Sequence, residues 1–263
     1  MKRIHLPEVE DFHWFPALLR DPMLRLLAAL CVVLRIEEII AEILQPVLTA
    51  HPGPVIDLCS GAGGVMPSVL HHLRTNNLPN AQLLLSDLYP NREAVERFSQ
   101  SDFVGYHSEP VDVTQLEKAP KGTRTLINSF HHLRPVQAKA LLRSARDSGQ
   151  PLLIYELTDN RMPLWLCLII LPIAWVIMVI NALLLTFLTR PLPIHQLALT
   201  YVVPVIPLLF GWDGMMSYAR TYGFDDLSEL LDGLETEHYS WEMGYAPRPK
   251  GGTFGIYLLG SPV

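Results

Sequence analysis

Val55-Ile-Asp-Leu-Cys-Ser-Gly-Ala-Gly-Gly64 is the stretch that decides the fold. Two β-branched residues, an acid and a leucine suit a short buried strand. Small residues follow, and then an apolar segment over 65–73 that predicts a helix. The order is strand, tight turn, helix N-terminus. Gly61, Gly63 and Gly64 tolerate positive φ and let a bound group approach the backbone. The N–H groups that open a helix attract polar or anionic ligand groups. Turns of this kind hold dinucleotides and phosphates as well as other cofactors, so the stretch alone predicts a cofactor loop without naming its ligand.

Working outward, the stretch resembles motif I of the class I, Rossmann-like methyltransferases that use S-adenosylmethionine (SAM), Asp-x-Gly-x-Gly-x-Gly. Asp57, Gly61 and Gly63 match, and Cys59 departs by standing at the first glycine. The resemblance extends over residues 50–263 apart from one apolar insertion. It implies an α/β fold: a seven-stranded, mostly parallel sheet with an antiparallel last strand. An N-terminal helical cap and an apolar helical insertion between strands 5 and 6 complete it.

The segments after the loop fit that order. A second strand over 81–85 ends at Ser86-Asp87-Leu88. An acid at the end of the second strand is where Rossmann-type sites hold ribose hydroxyls. The resemblance gives Asp87 that role, although Pro90 and Asn91 also make it a candidate helix cap. A third strand over 103–107 leads to Pro110-Val-Asp-Val-Thr114. There the resemblance sets Asp112 against the adenine, while Thr114 and Glu117 allow a plain turn or cap. Together the residues assigned to SAM are Asp57, Cys59, Ser60, Gly61, Gly63, Asp87, Leu88, Asp112, Val113, Asn128 and Ser129.

Thr123-Arg-Thr-Leu-Ile-Asn-Ser-Phe-His-His-Leu133 is the second informative stretch. Its fourth strand, over 125–129, ends in a histidine pair that resembles the Phe/Leu-His-His of many small-molecule methyltransferases. Histidine titrates near neutral pH and can take a proton from a hydroxyl or amine during methyl transfer. His131 and His132 are therefore the catalytic candidates; the alternative is that their rings cap the next helix or bind backbone carbonyls. His71 and His72 lie at the far end of the first helix and read as surface or packing residues. An amphipathic helix over 136–147 precedes a fifth strand that ends at Glu156, a candidate for facing substrate.

The flanks are less specific. Residues 1–16 are polar and aromatic, with His13, Trp14 and Phe15 adjacent; Asp21-Pro22 reads as a helix start, opening one or two packing or lid helices over 23–48. Between Arg161 and Asp213 the only charged residue is Arg190, and the run over 163–189 exceeds the about 20 apolar residues that span a bilayer. A shorter apolar run over 197–212 carries Pro204 and Pro207. Because segments over 237–245 and 253–260 read as the last two strands of the same sheet, the insertion must return. It reads as a hairpin in the bilayer, an interfacial segment, or a cap buried by the N-terminal helices or a second subunit. The polar stretch after it, expected to be a helix over 213–222 with Asp213 near its start, offers Trp212, Asp213, Tyr218 and Arg220 as substrate contacts or as membrane-edge anchors.

Composition sets the bounds. The chain has 263 residues, 49% of them hydrophobic, and a formal charge of −6 without a long basic run, which speaks against a nucleic-acid partner. Cys31, Cys59 and Cys167 show neither metal spacing nor a disulfide framework, so no metal is implied and a reducing compartment is. The N-terminus lacks the apolar core of a signal peptide. The expected organisation is a cap (1–50), a SAM-binding core (51–162), the insertion (163–212) and completion of the core (213–263). The expected protein is a bacterial SAM-dependent methyltransferase with a small, lipophilic acceptor, in the cytoplasm or at the cytoplasmic face of a membrane, with oligomerisation through the insertion left open. The alternatives are a non-catalytic SAM-fold scaffold at the membrane, which the Cys59 departure would suit, and a Rossmann dehydrogenase, against which the missing Gly-x-Gly-x-x-Gly counts.

Overall fold

The computed structural model describes the whole chain except residue 13 and the side chains of residues 164, 167 and 168, so His13 and the Cys167 thiol lie outside the described residues. Two helices come first, α1 (Ala17–Val33) and α2 (Ile36–Ala50). The core then alternates β1 (Val55–Leu58), α3 (Met66–Asn76), β2 (Leu83–Leu85), α4 (Arg92–Phe98), β3 (Val104–Tyr106), β4 (Thr123–Ile127), α5 (Pro135–Ser148) and β5 (Leu152–Glu156). The insertion is α6 (Leu164–Leu185), a short α7 (Ile194–Leu197) with a π-helical turn behind it, and α8 (Val205–Arg220). Helix α9 (Phe224–Leu231) and the hairpin β6 (Tyr239–Pro247) and β7 (Thr253–Pro262) close the chain.

The seven strands form one sheet in the order β3-β2-β1-β4-β5-β7-β6. Strand β7 runs antiparallel to β5 and β6, while the β1, β2, β3, β4 and β5 pairings are parallel. Both faces are covered, and the strands show it residue by residue. Ile56, Leu152 and Ile154 pack with Leu141 and Leu142 of α5 and Leu227 of α9. Val55, Leu153 and Tyr155 pack on the other side with α2 and α3. Alternate burial of strand side chains in two layers of helices is what a parallel sheet demands. A third cluster stands apart from the sheet: Met23 and Leu26 of α1, Ala182 and Leu185 of α6, and Ile206 and Phe210 of α8.

Two helix starts differ from expectation. Helix α1 begins at Ala17, behind Pro16, and carries the buried Pro22 inside it. Its packing against α6 and α8 outweighs the backbone bond that an internal proline forfeits. Helix α8 begins at Val205, so Asp213 sits mid-helix and not near a start. Pro207 does not break it because it falls in the first turn, where the missing N–H has no partner to lose. Strand β4 is also displaced, ending at Ile127 and leaving Asn128 and Ser129 in the turn beyond it.

Ile169–Leu188 is long and apolar enough to cross a membrane by length and composition, and only 17% of that window is buried. Trp165, Ile169, Ile173, Ile177 and Leu184 make an exposed stripe along α6, at the three-to-four-residue spacing of one helix face. The segments Ile194–Val202 and Val205–Arg220 meet at an 80° bend.

Candidate functional site

Ligands of open α/β sheets bind beyond the carboxyl ends of the strands, where the strand order reverses. Here that point lies between β1 and β4, which are neighbours paired from Val55↔Thr123 to Leu58↔Leu126. Two differently built turns therefore stand side by side.

The turn after β1 is made of backbone. Cys59, Gly61, Gly63 and Gly64 all have positive φ, at 56°, 51°, 110° and 52°. Cys59 thus adopts the left-handed conformation for which the resembling motif uses glycine. The loop is fastened from below. Asp57 Oδ2 accepts from Ser60 Oγ (2.6 Å) and Oδ1 from Thr125 Oγ1 (2.7 Å). Asp87 Oδ2 accepts from the Gly61 N–H (2.9 Å), and Oδ1 from the Tyr89 N–H (2.9 Å). Tyr106 donates to the Gly61 carbonyl at 2.8 Å. A Cβ at Gly63 would come within 3.0 Å of the Phe98 ring, whereas one at Gly64 would meet nothing within 4 Å, so the loop is open on one side. Burial raises the Asp57 carboxyl to about 7 against the lowering effect of its two hydroxyl donors. Burial also raises Asp87.

Several residues expected to touch a cofactor have partners within the protein. Asp57 and Ser60 are buried and bonded to each other. Asp112 accepts from the Thr114 N–H (2.8 Å) and hydroxyl (2.7 Å), the turn-capping alternative. Val113 is buried in the core. Asn128, with φ 52°, accepts the Leu157 N–H (3.0 Å) and so ties the ends of β4 and β5 together. Ser129 Oγ donates to the Ile127 carbonyl. Leu88 is exposed beside the loop.

The turn after β4 is made of side chains. Phe130–His132 is one 3-10 turn that stacks the two imidazoles, with centroids 4.4 Å apart. His131 is buried, and Glu156 grips it twice: Oε1 accepts its backbone N–H (3.0 Å) and Oε2 lies 2.7 Å from Nδ1. Glu156 is thus turned inward to the histidine, not outward to a substrate. His132 Nδ1 lies 2.9 Å from Asp11 Oδ1. Both Nε2 atoms face Glu8, with His131 Nε2 3.5 Å from Oε1 and His132 Nε2 3.6 Å from Oε2. Arg220, wholly buried, meets Asp11 at 2.6 Å and Glu8 at 3.1 Å. Burial would lower the His131 pKa, but the Glu156 and Glu8 carboxylates outweigh it and hold the ring at about 10.

Arg220 therefore belongs to the interior of this cluster and not to a pocket wall. Asp213 is buried and accepts the Val9 N–H (2.8 Å), which fastens the N-terminal segment to α8. Tyr218 accepts the Met162 N–H (2.9 Å) at the start of the insertion. Arg3 completes the strap by donating to the carbonyls of Arg220 (2.6 Å) and His131 (2.7 Å). Glu8, Asp11 and Arg3 went unnoticed in the sequence because their partners lie more than 120 residues away. The one local signal is the acidic Glu8-Val-Glu-Asp11 run that forms a 3-10 turn.

Beside the cluster, a cavity of about 660 Å³ opens between α6 and α8, lined by Val9, Trp175, Val176, Leu209, Trp212 and Met215 among others. Its walls are apolar. Trp212 stands at this groove and donates its indole N–H to the Pro7 carbonyl (3.2 Å).

No protein-family model matches the chain, and no curated protein matches it. In three dimensions it is similar to the plantazolicin methyltransferase BpumL solved with S-adenosylhomocysteine. The two share 12% identity over 91% of this chain and 84% of that one, with a TM-score of 0.50. The same enzyme with a monoazolic desmethylPZN analog and S-adenosylhomocysteine aligns over the same shares at 13% identity and a TM-score of 0.50. The O-methyltransferase NcsB1 of neocarzinostatin biosynthesis, with S-adenosylhomocysteine and 1,4-dihydroxy-2-naphthoic acid bound, aligns over 80% of this chain and 49% of that one, at 14% identity and a TM-score of 0.46. Likeness at this identity speaks for architecture: the chain has the class I, Rossmann-like methyltransferase fold.

Proposed function

We propose that the chain is a SAM-dependent methyltransferase acting on a small lipophilic acceptor. The observation that carries the reading is the run of left-handed residues from Cys59 to Gly64 at the switch point, held in place by Asp87. The loop fits SAM: Gly64 leaves one side open, Asp87 is bonded to the loop at Gly61, and the turn at Asn128 and Ser129 follows the strand paired with β1. Asp87 would hold the ribose and the loop backbone the amino-acid end. When bound, SAM supplies an electrophilic sulfonium methyl group.

The rest of the work falls to this chain. The apolar groove beside Val9 and Trp212 orients a lipophilic acceptor, and holding it in line with the methyl group supplies the larger share of the rate. The histidine cluster handles the acceptor's proton. His132 is the better placed of the pair, 31% exposed against 5% for His131, with Asp11 fixing its ring. The exposed stripe of α6 suits the interfacial region of a bilayer, where a lipophilic acceptor concentrates. A site of action at the cytoplasmic face of a membrane is part of this proposal, supported by that exposed apolar stripe.

Calorimetric titration of SAM, S-adenosylhomocysteine and NAD into the detergent-purified chain tests the reading. Micromolar binding of the first two and none of NAD is the expected result, and it would justify a screen of lipophilic hydroxyl and amine acceptors. Binding of neither SAM nor S-adenosylhomocysteine would overturn it in favour of a non-catalytic scaffold, and binding of NAD in favour of a dehydrogenase.

A further inference from the structure

We propose that Glu8, His131 and His132 form a binding site for one divalent first-row transition ion, zinc being the member that suits this donor set. Three independent features of the cluster point to it.

The first is orientation. Both imidazoles give Nδ1 to a carboxylate, His131 to Glu156 at 2.7 Å and His132 to Asp11 at 2.9 Å. A ring held in that way keeps a proton on Nδ1, and loss of the Nε2 proton, which binding of an ion requires, presents a lone pair there. This is the carboxylate–histidine–metal arrangement of zinc sites, in which the outer carboxylate fixes the tautomer and raises ligand basicity. Both free nitrogens then converge on the same carboxylate, that of Glu8.

The second is distance. Charge-assisted N–H···O bonds close to about 2.7–2.9 Å. The two Nε2–Glu8 separations are 3.5 and 3.6 Å, and His131 Nε2 is buried without a hydrogen-bond partner. Donors about 2.0–2.1 Å from a tetrahedral zinc ion stand roughly 3.3–3.4 Å apart. One ligand atom from each of the three residues lies within 4.8 Å of the others. The gap is too long for a hydrogen bond and right for a shared ion.

The third is charge. Glu8, Asp11 and Glu156 bring three carboxylates against the guanidiniums of Arg220 and Arg3, so neutral histidines leave one negative charge in the cluster. A divalent ion would bind there in exchange for an imidazole proton, as metal binding to histidine requires. Arg220 sits 3.1 Å from Glu8 Oε1 and so aims the carboxylate, leaving Oε2 on the His132 side. Two histidines and one carboxylate are also the ligand set of catalytic zinc sites that keep a coordination position open. The half-exposed edge of His132 is where that position would open. An ion there would lower the pKa of an oxygen it binds. The ligands come from residues 8, 131 and 132, which explains why no local spacing announces them.

The site is read from the protein alone, so it stands or falls separately from methyl transfer. The test is a titration of Co²⁺ into the full-length, chelator-stripped chain in detergent, followed by visible d–d absorption and by Zn²⁺ competition. One equivalent of Co²⁺ should bind and be displaced by Zn²⁺. Glu8→Gln and His132→Ala should each weaken binding at least about 100-fold, and Asp11→Asn by about 10- to 100-fold through the outer shell. His71→Ala, on the exposed end of α3, should leave it unchanged. Where Glu8→Gln fails to fold, His132→Ala decides, because its ring sits at the exposed edge of the cluster. Absence of saturable 1:1 binding, or equal affinity in His132→Ala and the unsubstituted protein, would overturn the proposal and leave the cluster an ion-pair network. A negative SAM titration on the same sample would leave it intact.

Discussion

The turns after β1 and β4 occupy adjacent places at one edge of the sheet, yet they are stabilised in opposite ways. The β1 turn rests first on its own residues, four left-handed backbone positions and an acid bonded three residues on to Ser60, with Asp87, Thr125 and Tyr106 fastening it from the neighbouring strands. The β4 turn depends on what distant residues bring to it. Asp11 reaches His132 across 121 positions, and Arg220 reaches Asp11 across 209. A turn of the first kind is tied only to strands of its own sheet. A turn of the second kind is only as stable as the least stable element that contributes to it, here the N-terminal strap.

The largest expected effect breaks the second turn. Arg220→Ala would leave Glu8 buried, and Asp11 half-buried, without their cationic partner. Removing one member of a buried ion pair costs about 3–5 kcal/mol. Chemical denaturation of the variant should show a loss of that order. A loss below about 1 kcal/mol would mean the strap, α8 and the histidine turn do not act as one unit.

The two turns should also fail in different observables. His132→Ala should reduce turnover about 10²- to 10⁴-fold, the usual worth of a positioned acid–base group, while SAM affinity stays within about threefold. Asp87→Ala should do the reverse in kind, weakening SAM binding about tenfold or more with the fold retained, since it removes the carboxylate that fixes the Gly61 N–H. Calorimetry with SAM and methyl-transfer rates on the acceptor found by screening separate the two. Equal SAM affinity in Asp87→Ala would remove the ribose assignment.

The contrast also explains what the sequence made legible. The β1 turn could be read because glycine positions and a strand-ending acid are local signals of backbone shape. The same logic reached Asp87, whose partner Gly61 is only 26 residues away and lies in the motif itself. The mostly parallel sheet with its antiparallel last strand was implied by the resemblance, and strand–helix alternation and the terminal hairpin fitted it. At the β4 turn His131 and His132 were visible as residue types, but their partners were not. Glu156 read as a substrate contact because it ends a strand, although its carboxylate faces His131. Asp213 and Arg220 read as pocket residues, although they serve the strap. No periodicity or spacing encodes a contact between residue 8 and residue 131. Proline misled once: Pro22 read as a helix start, and packing of α1 allowed it inside the helix.

The smallest expected effect tests whether the β1 turn is as self-contained as its geometry suggests. Its more deeply buried carboxyl anchor, Asp57, titrates at about 7 in the folded protein and near 3.9 when unfolded. The folded state therefore holds a proton that the unfolded state has already released. The stability this contributes is complete below about pH 4 and is lost as pH rises through 7. Asp57→Asn cannot titrate, so it carries a constant penalty for presenting an amide to Ser60 and Thr125. The unsubstituted protein loses stability across the window in which the variant does not. The gap between their melting temperatures should accordingly narrow by a few degrees from pH 5 to pH 7.5. A gap that stays constant would show that Asp57 is ionised throughout, its charge carried by the two hydroxyls, and that the β1 turn borrows nothing from pH.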